Sequence, residues 1–169
     1  MTQKYSHQFM AGVFFGLTSG VITALGMIVG LHSATCSRLA VVAGIVIMAF
    51  ADGLADAAGL HMVEEAEVEQ GEAKHTQKEI WLTTLFTFLS VFFVILTFAI
   101  PLLIFPLKTA VFLSIGWGML LLILLNFYLA KIKKESPAKL ILEHILLAIF
   151  VISISYGIGR LIALWIKDA

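Results

Sequence analysis

Between positions 52 and 72 the chain places Asp52, Asp56, Glu64, Glu65, Glu67, Glu69 and Glu72, with no Lys or Arg among them. Carboxylates this dense repel one another unless cations neutralise them. Oxygen-rich clusters suit hard or borderline cations, and the flanking imidazoles of His61 and His75 widen the choice to iron, manganese or zinc. Helical spacing sorts these groups. Met48, Asp52 and Asp56 are each four residues apart and share one stripe, while His61, Glu65, Glu69 and Glu72 share a different face if the helix runs that far. Gly71 weakens a helix at that point. One stripe would line a path, with the thioether of Met48 adding affinity for softer metals; the other would gather ions at its mouth. The bland alternative for Glu64 to Glu72 is a solvated helix end.

The elements that hold these groups are read from hydropathy. Of 169 residues, 60% are hydrophobic and 13% charged, against roughly 25% charged in a soluble domain. Apolar runs cover 9–31, 39–62, 80–105, 109–130 and 140–166. A bilayer core needs about 20 apolar residues in a helix, and in lipid the backbone must satisfy its own hydrogen bonds. The expectation is an all-α integral membrane protein with five transmembrane helices in one domain, 1–169, and a short acidic segment at 63–79. Pro101 and Pro106 mark the turn between the third and fourth spans. Within such a span a carboxylate costs about 2.5–3.5 kcal/mol at the helix centre, so Asp52 and Asp56 read as functional.

Lys131, Lys133, Lys134 and Lys139 cluster between the last two spans, which by the positive-inside rule puts that loop in the cytoplasm. Counting back, the N-terminus and the acidic segment are cytoplasmic and the C-terminus lies outside. Compact loops point to a prokaryotic plasma membrane. The first apolar run is too long for a signal-peptide core. A net formal charge of zero gives no sign of a nucleic-acid partner. The single cysteine, Cys36, allows no internal disulfide. No nucleophile–base pair, phosphate loop or Cys–His zinc pattern suggests an enzyme.

The first span carries Gly12, Gly16 and Gly20 at four-residue intervals, a pattern that lets helices approach closely. Thr23 and Met27 continue that face, with Ser19 and Gly30 beside it. Plain packing explains the glycines. A sharper reading sets two copies of this span across a dimer axis, with Gly16, Ser19, Gly20, Thr23 and Met27 lining a polar path. In the last span, Glu143 and His144 read as interfacial, Arg160 as snorkelling outward, and Tyr156, Gly157 and Gly159 as close packing.

Four stretches resemble the vacuolar iron transporter family, proton-coupled exporters of ferrous iron and manganese. Gly16-Leu-Thr-Ser-Gly-Val-Ile-Thr-Ala-Leu-Gly26 resembles its glycine-rich first helix. Ala43-Gly-Ile-Val-Ile-Met-Ala-Phe-Ala-Asp52 is similar to its second-helix pattern. Ile100-Pro-Leu-Leu-Ile-Phe-Pro106 is similar to its proline-bearing turn, and Ser155-Tyr-Gly-Ile-Gly-Arg-Leu161 to its last helix. The resemblance implies a five-helix protomer, a homodimer and an ion path between the first two helices. Met48 matches the pore methionine, Asp52 a pore carboxylate, and Glu64 to Glu72 a glutamate-rich cytoplasmic extension. The family's first helix usually bears an aspartate where this chain has Ser19, and its extension is longer. The expected function is export of ferrous iron or manganese from the cytosol in exchange for protons, with the metal as cargo and no tightly bound cofactor. The alternative is a metal-binding or scaffold membrane protein of the same fold that does not transport.

Overall fold

The computed structural model describes residues 2–69 and 72–166, with side chains at 10–68 and 74–166. Its helices are α1 (Thr2–Thr35), α2 (Arg38–Ala66), α3 (Gln77–Thr97), α4 (Ala99–Ile104), α5 (Leu107–Lys133) and α6 (Pro137–Trp165). Two two-residue strands, β1 (Val68–Glu69) and β2 (Glu72–Ala73), pair antiparallel between α2 and α3. With α3 and α4 counted as one span, five helices are long and apolar enough to cross a membrane. That is consistent with a multi-pass membrane protein.

The turns follow from local chemistry. Cys36 adopts φ 51° and donates its N–H to the His32 carbonyl, closing α1. Ser37 then caps α2 by accepting the Ala40 N–H at 3.3 Å, one of the orphan donors of a helix start. The break between α3 and α4 falls at Phe98, three residues before Pro101. Proline has no N–H for the Thr97 carbonyl and its ring crowds that carbonyl, so a continuous helix is lost there. The Phe98 N–H turns instead to Ile95. At the start of α3, Glu79 reaches back to the Thr76 N–H at 2.8 Å and is itself buried. Arg38 donates to the Phe105 carbonyl. That bond ties the α1–α2 turn to the α4–α5 turn and places both at one end of the bundle.

α1 is the central helix, packed by α2, α3, α5 and α6. Half of its most apolar window is buried, against 11% for α6. Leu25 and Ile28 on α1 meet Ile45, Val91, Ile95, Phe98 and Leu122 in the core. The outward faces of the other helices remain apolar, as at Phe50, Phe93, Phe112, Phe150 and Trp165. Around α1 the pairs α2–α3 and α5–α6 pack closely, whereas α2 with α6 and α3 with α5 make at most marginal contact. Two gaps therefore leave α1 accessible on opposite sides.

The glycine stripe does not face a second copy of α1. A Cβ added at Gly12, Gly16 or Gly20 would lie 2.8, 2.8 and 2.6 Å from atoms of α3, namely Thr83, Thr87 with Ser90, and Val94. Spacing alone specifies close approach, and α3 is the helix that takes it. Gly16 and Gly20 are thereby buried at the α1–α3 contact and line neither the expected path nor a dimer axis.

Candidate functional site

The α1–α2 seam has a regular antiparallel register. The Thr23 hydroxyl donates to Asp52 Oδ2 at 2.7 Å. One turn along, Ser19 stands beside the carboxylate of Asp56. In the other direction, Leu31 and Met27 approach Gly44. Steps of four on each helix keep these pairs on one seam. Thr23 is also within 3.0 Å of the Ser19 carbonyl and 3.4 Å of the Gly20 carbonyl. A threonine hydroxyl has one proton, so its position is held by its own helix while the carboxylate competes for that proton. Asp56 Oδ2 is buried with no hydrogen-bond partner.

A cavity of about 520 Å³ opens along this seam, lined by Thr23, Met27, Gly44, Met48, Ala51 and Asp52 among others. A second cavity of about 400 Å³ shares Thr23, Met27 and Met48 and continues to Ser155 and Gly159 on α6. Together they follow the α2–α6 gap, with no Lys or Arg on their walls. Carboxylate and hydroxyl oxygens beside two thioethers form a mixed donor set, suited to a borderline divalent cation more than to calcium or magnesium. Among the described residues, no three His, Cys, Asp or Glu side chains converge as a metal group. The seam of one protomer offers two carboxylates, and any remaining ligands would have to be hydroxyl, thioether, water or a second chain.

His61 and Glu65 lie elsewhere, on the α3 side of α2. His61 Nδ1 is 2.8 Å from Thr84 Oγ1, and that hydroxyl donates its proton to the Ile80 carbonyl at 2.7 Å. With the Thr84 proton on the Ile80 carbonyl, the contact with Thr84 assigns the proton of the neutral ring to Nδ1 and the lone pair to Nε2. Nε2 lies 4.0 Å from Glu65 Oε1, and the ring stands edge-on to Trp81 at 4.8 Å.

The acidic run does not extend α2 as one helical face. α2 ends at Ala66, and Glu69 and Glu72 become β-partners, breaking the expected stripe of His61, Glu65, Glu69 and Glu72. The side chains of Glu69 and Glu72 lie outside the described residues. Glu67 is neutralised within the chain, by Lys74 Nζ at 2.6 Å and His75 Nε2 at 3.1 Å. The hydrogen bond from Lys74, then that from His75, holds the Glu67 carboxyl below its ordinary value of 4.5. Glu64, expected in a glutamate-rich cytoplasmic extension or a solvated helix end, is only 6% exposed and its Oε2 has no partner. It lies 11 residues past Gly53 and 7 past Ala57, on the inward face of α2. Glu143 is exposed and His144 Nδ1 meets its own helix at the Leu140 carbonyl, so neither joins the seam.

Residue types had not singled out Gly26, Ser155 and Ile158 as groove-lining. The available signal was Ser155 four residues before Gly159, a small-residue pair like that of α1. Gly159 packs against Ser33 and Gly30, as expected for close packing. Gly157 has open space around it and Tyr156 is exposed, contrary to that expectation. The Tyr156 carbonyl accepts from Ser33 at 3.2 Å. Comparison with known proteins returned no matching family model and no matching curated protein.

Proposed function

We propose that this chain is a divalent transition-metal transporter that moves ferrous iron or manganese out of the cytosol in exchange for protons, as a homodimer in a prokaryotic plasma membrane. The observation that carries this reading is the Asp52–Thr23 pair, set across two helices in an apolar span and opening into a groove with Met27 and Met48. A carboxylate in a span is expensive unless it serves an ion path. Asp52 is the central ligand, Met48 and Met27 favour softer cations, and Ser19 with Asp56 continues the path by one turn. Glu64, and on the α3 side of α2 Glu65 with the Nε2 of His61, would gather cations on the side of the membrane that this reading makes cytoplasmic. Exchange needs no further machinery, because a carboxylate that releases metal can take a proton in its place. The resemblance to the vacuolar iron transporter family supports the same reading.

The test is metal flux into proteoliposomes, compared across iron, manganese, zinc and calcium with and without a pH gradient. Asp52→Asn keeps the shape and the hydrogen bond to Thr23 but removes the charge. Its flux is expected to fall to background while the assembly state is unchanged; full transport would remove Asp52 from the path. A second reading, a metal-binding or scaffold protein without transport, is favoured by Ser19 in place of the family's aspartate and by the lack of a three-ligand group among the described residues. It predicts saturable metal binding in the wild type with no flux under any gradient.

A further inference from the structure

The second gap around α1 lies between α3 and α5, on the side away from the seam. It holds a cavity of about 290 Å³ lined by Leu17, Val21, Val94, Leu121, Leu124 and Tyr128 among others. Its only polar lining group of note is the Tyr128 hydroxyl. α4 packs on α5 at the end of the bundle where Arg38 meets Phe105. At the other end Phe14 stacks on Tyr128, with centroids 5.9 Å apart and planes at 17°.

Three residues beyond Tyr128, and seven beyond Leu124, comes Lys131. That spacing puts it on the helix face that lines the groove, one turn nearer the bundle end. Its Nζ sits 4.7 Å above the Phe127 ring, so an aromatic face holds the ammonium at the level where the apolar surface stops. Lys133, Lys134 and Lys139 follow in the same connection, with Glu135 the one carboxylate among them, and all are exposed. From Leu121 to Tyr128 the groove runs for about 10 Å along α5 at the usual helical rise.

We propose that the α3–α5 gap binds one anionic phospholipid, with an acyl chain along Leu121, Leu124 and Val21 and the phosphate at Lys131. Charge complementarity selects this occupant. Four lysines against one glutamate favour a headgroup of net negative charge over a zwitterionic one, and the apolar groove ends where those lysines begin. The site is on the opposite side of α1 from the metal groove, and its occupancy is read without measuring flux.

The experiment is lipid retention by the full chain in an uncharged detergent, titrated with phosphatidylglycerol or phosphatidylcholine and read by native mass spectrometry. One phosphatidylglycerol per chain is expected, retained at about tenfold lower concentration than phosphatidylcholine; a lysine beside an anionic headgroup contributes roughly fivefold. Lys131→Gln should reduce that preference by about fivefold. Leu124→Trp should fill the groove and lose both lipids, while Phe112→Trp, at an exposed position elsewhere on α5, should retain them. Equal retention of the two lipids by the wild type overturns the proposal, as does retained lipid in Leu124→Trp. A dimer lost on Leu124→Trp would put a second copy in the gap and overturn it as well. If Leu124→Trp does not fold, Lys131→Gln decides: an unchanged preference removes the headgroup from Lys131.

Discussion

Asp52 and Asp56 sit one turn apart on α2, yet their surroundings differ. Asp52 accepts the Thr23 hydroxyl from α1, whereas one oxygen of Asp56 is buried without a donor. A buried acceptor left unsatisfied costs roughly 1–3 kcal/mol. Asp56→Asn supplies two N–H donors and removes the charge, so it is expected to raise thermal stability in detergent by a few degrees for about 1 kcal/mol. A lower midpoint would mean that Asp56 is held by a partner the seam does not account for. Glu67 gives a prediction outside the membrane spans. Because Lys74 and then His75 favour its ionised form, the proton must leave below 4.5. For a depressed carboxyl, the stabilisation is complete above the ordinary value and disappears as pH falls through the native one. Carbon-detected NMR titration of Glu67 should therefore give a midpoint under 4.5 in the wild type, moving back up in Lys74→Ala. Amide protection around 67–75 should weaken only on the acid side of that midpoint.

At the scale of elements, the glycines separate packing from mere presence. Gly16 has no room for a methyl group: its added Cβ meets Ser90 and the backbone of Thr87 at 2.8 Å. Gly116 on α5 has nothing within 4 Å. Gly16→Ala should destabilise by about 1–3 kcal/mol through overpacking, and Gly116→Ala should stabilise by about 0.5–1 kcal/mol through helix propensity. Unfolding in mixed micelles measures both, and equal effects would break the link to α3. The same residues show what could be read in advance. Five apolar runs gave the five spans because bilayer thickness and backbone satisfaction leave few alternatives. The four-residue glycine spacing announced a close helix contact, but nothing in a spacing says whether α3 or a second α1 will fill it. Met48, Asp52 and Thr23 were legible as polar or soft groups on faces of two helices, and their common groove came from the register at which α1 meets α2. The helix limit at Ala66 lies four residues past the end of the apolar run at 62, and the pairing of Glu67 with Lys74 and His75 depends on a chain reversal that periodicity does not encode. The burial of Glu64 follows from its sharing a face with Gly53 and Ala57, about three and about two turns distant.

At the scale of the whole molecule, α1 is enclosed on two sides and open on two, and the two openings differ in chemistry. The α3–α5 gap is apolar and suits a lipid. The α2–α6 gap carries Thr23, Asp52 and Ser155, and acyl chains are a poor cover for a carboxylate. A second protomer laid over this side would shield Asp52, double the carboxylates available to an ion, and complete a ligand set that one chain lacks among its described residues. Ile47 is the probe for that arrangement: it lines the seam cavity and is 66% exposed. In a Cys36→Ser background, which removes the exposed native thiol, Ile47→Cys should form a disulfide-linked dimer on mild oxidation in liposomes. Phe112→Cys, equally exposed but on α5, should not. Disulfide geometry demands Cα atoms within about 7 Å, so efficient closure at Ile47 alone would place α2 of two chains side by side. Equal cross-linking at both positions would reflect random collision in the bilayer. No cross-link at Ile47, in a protein for which metal flux is measured, would confine the proposed ion path to a single protomer.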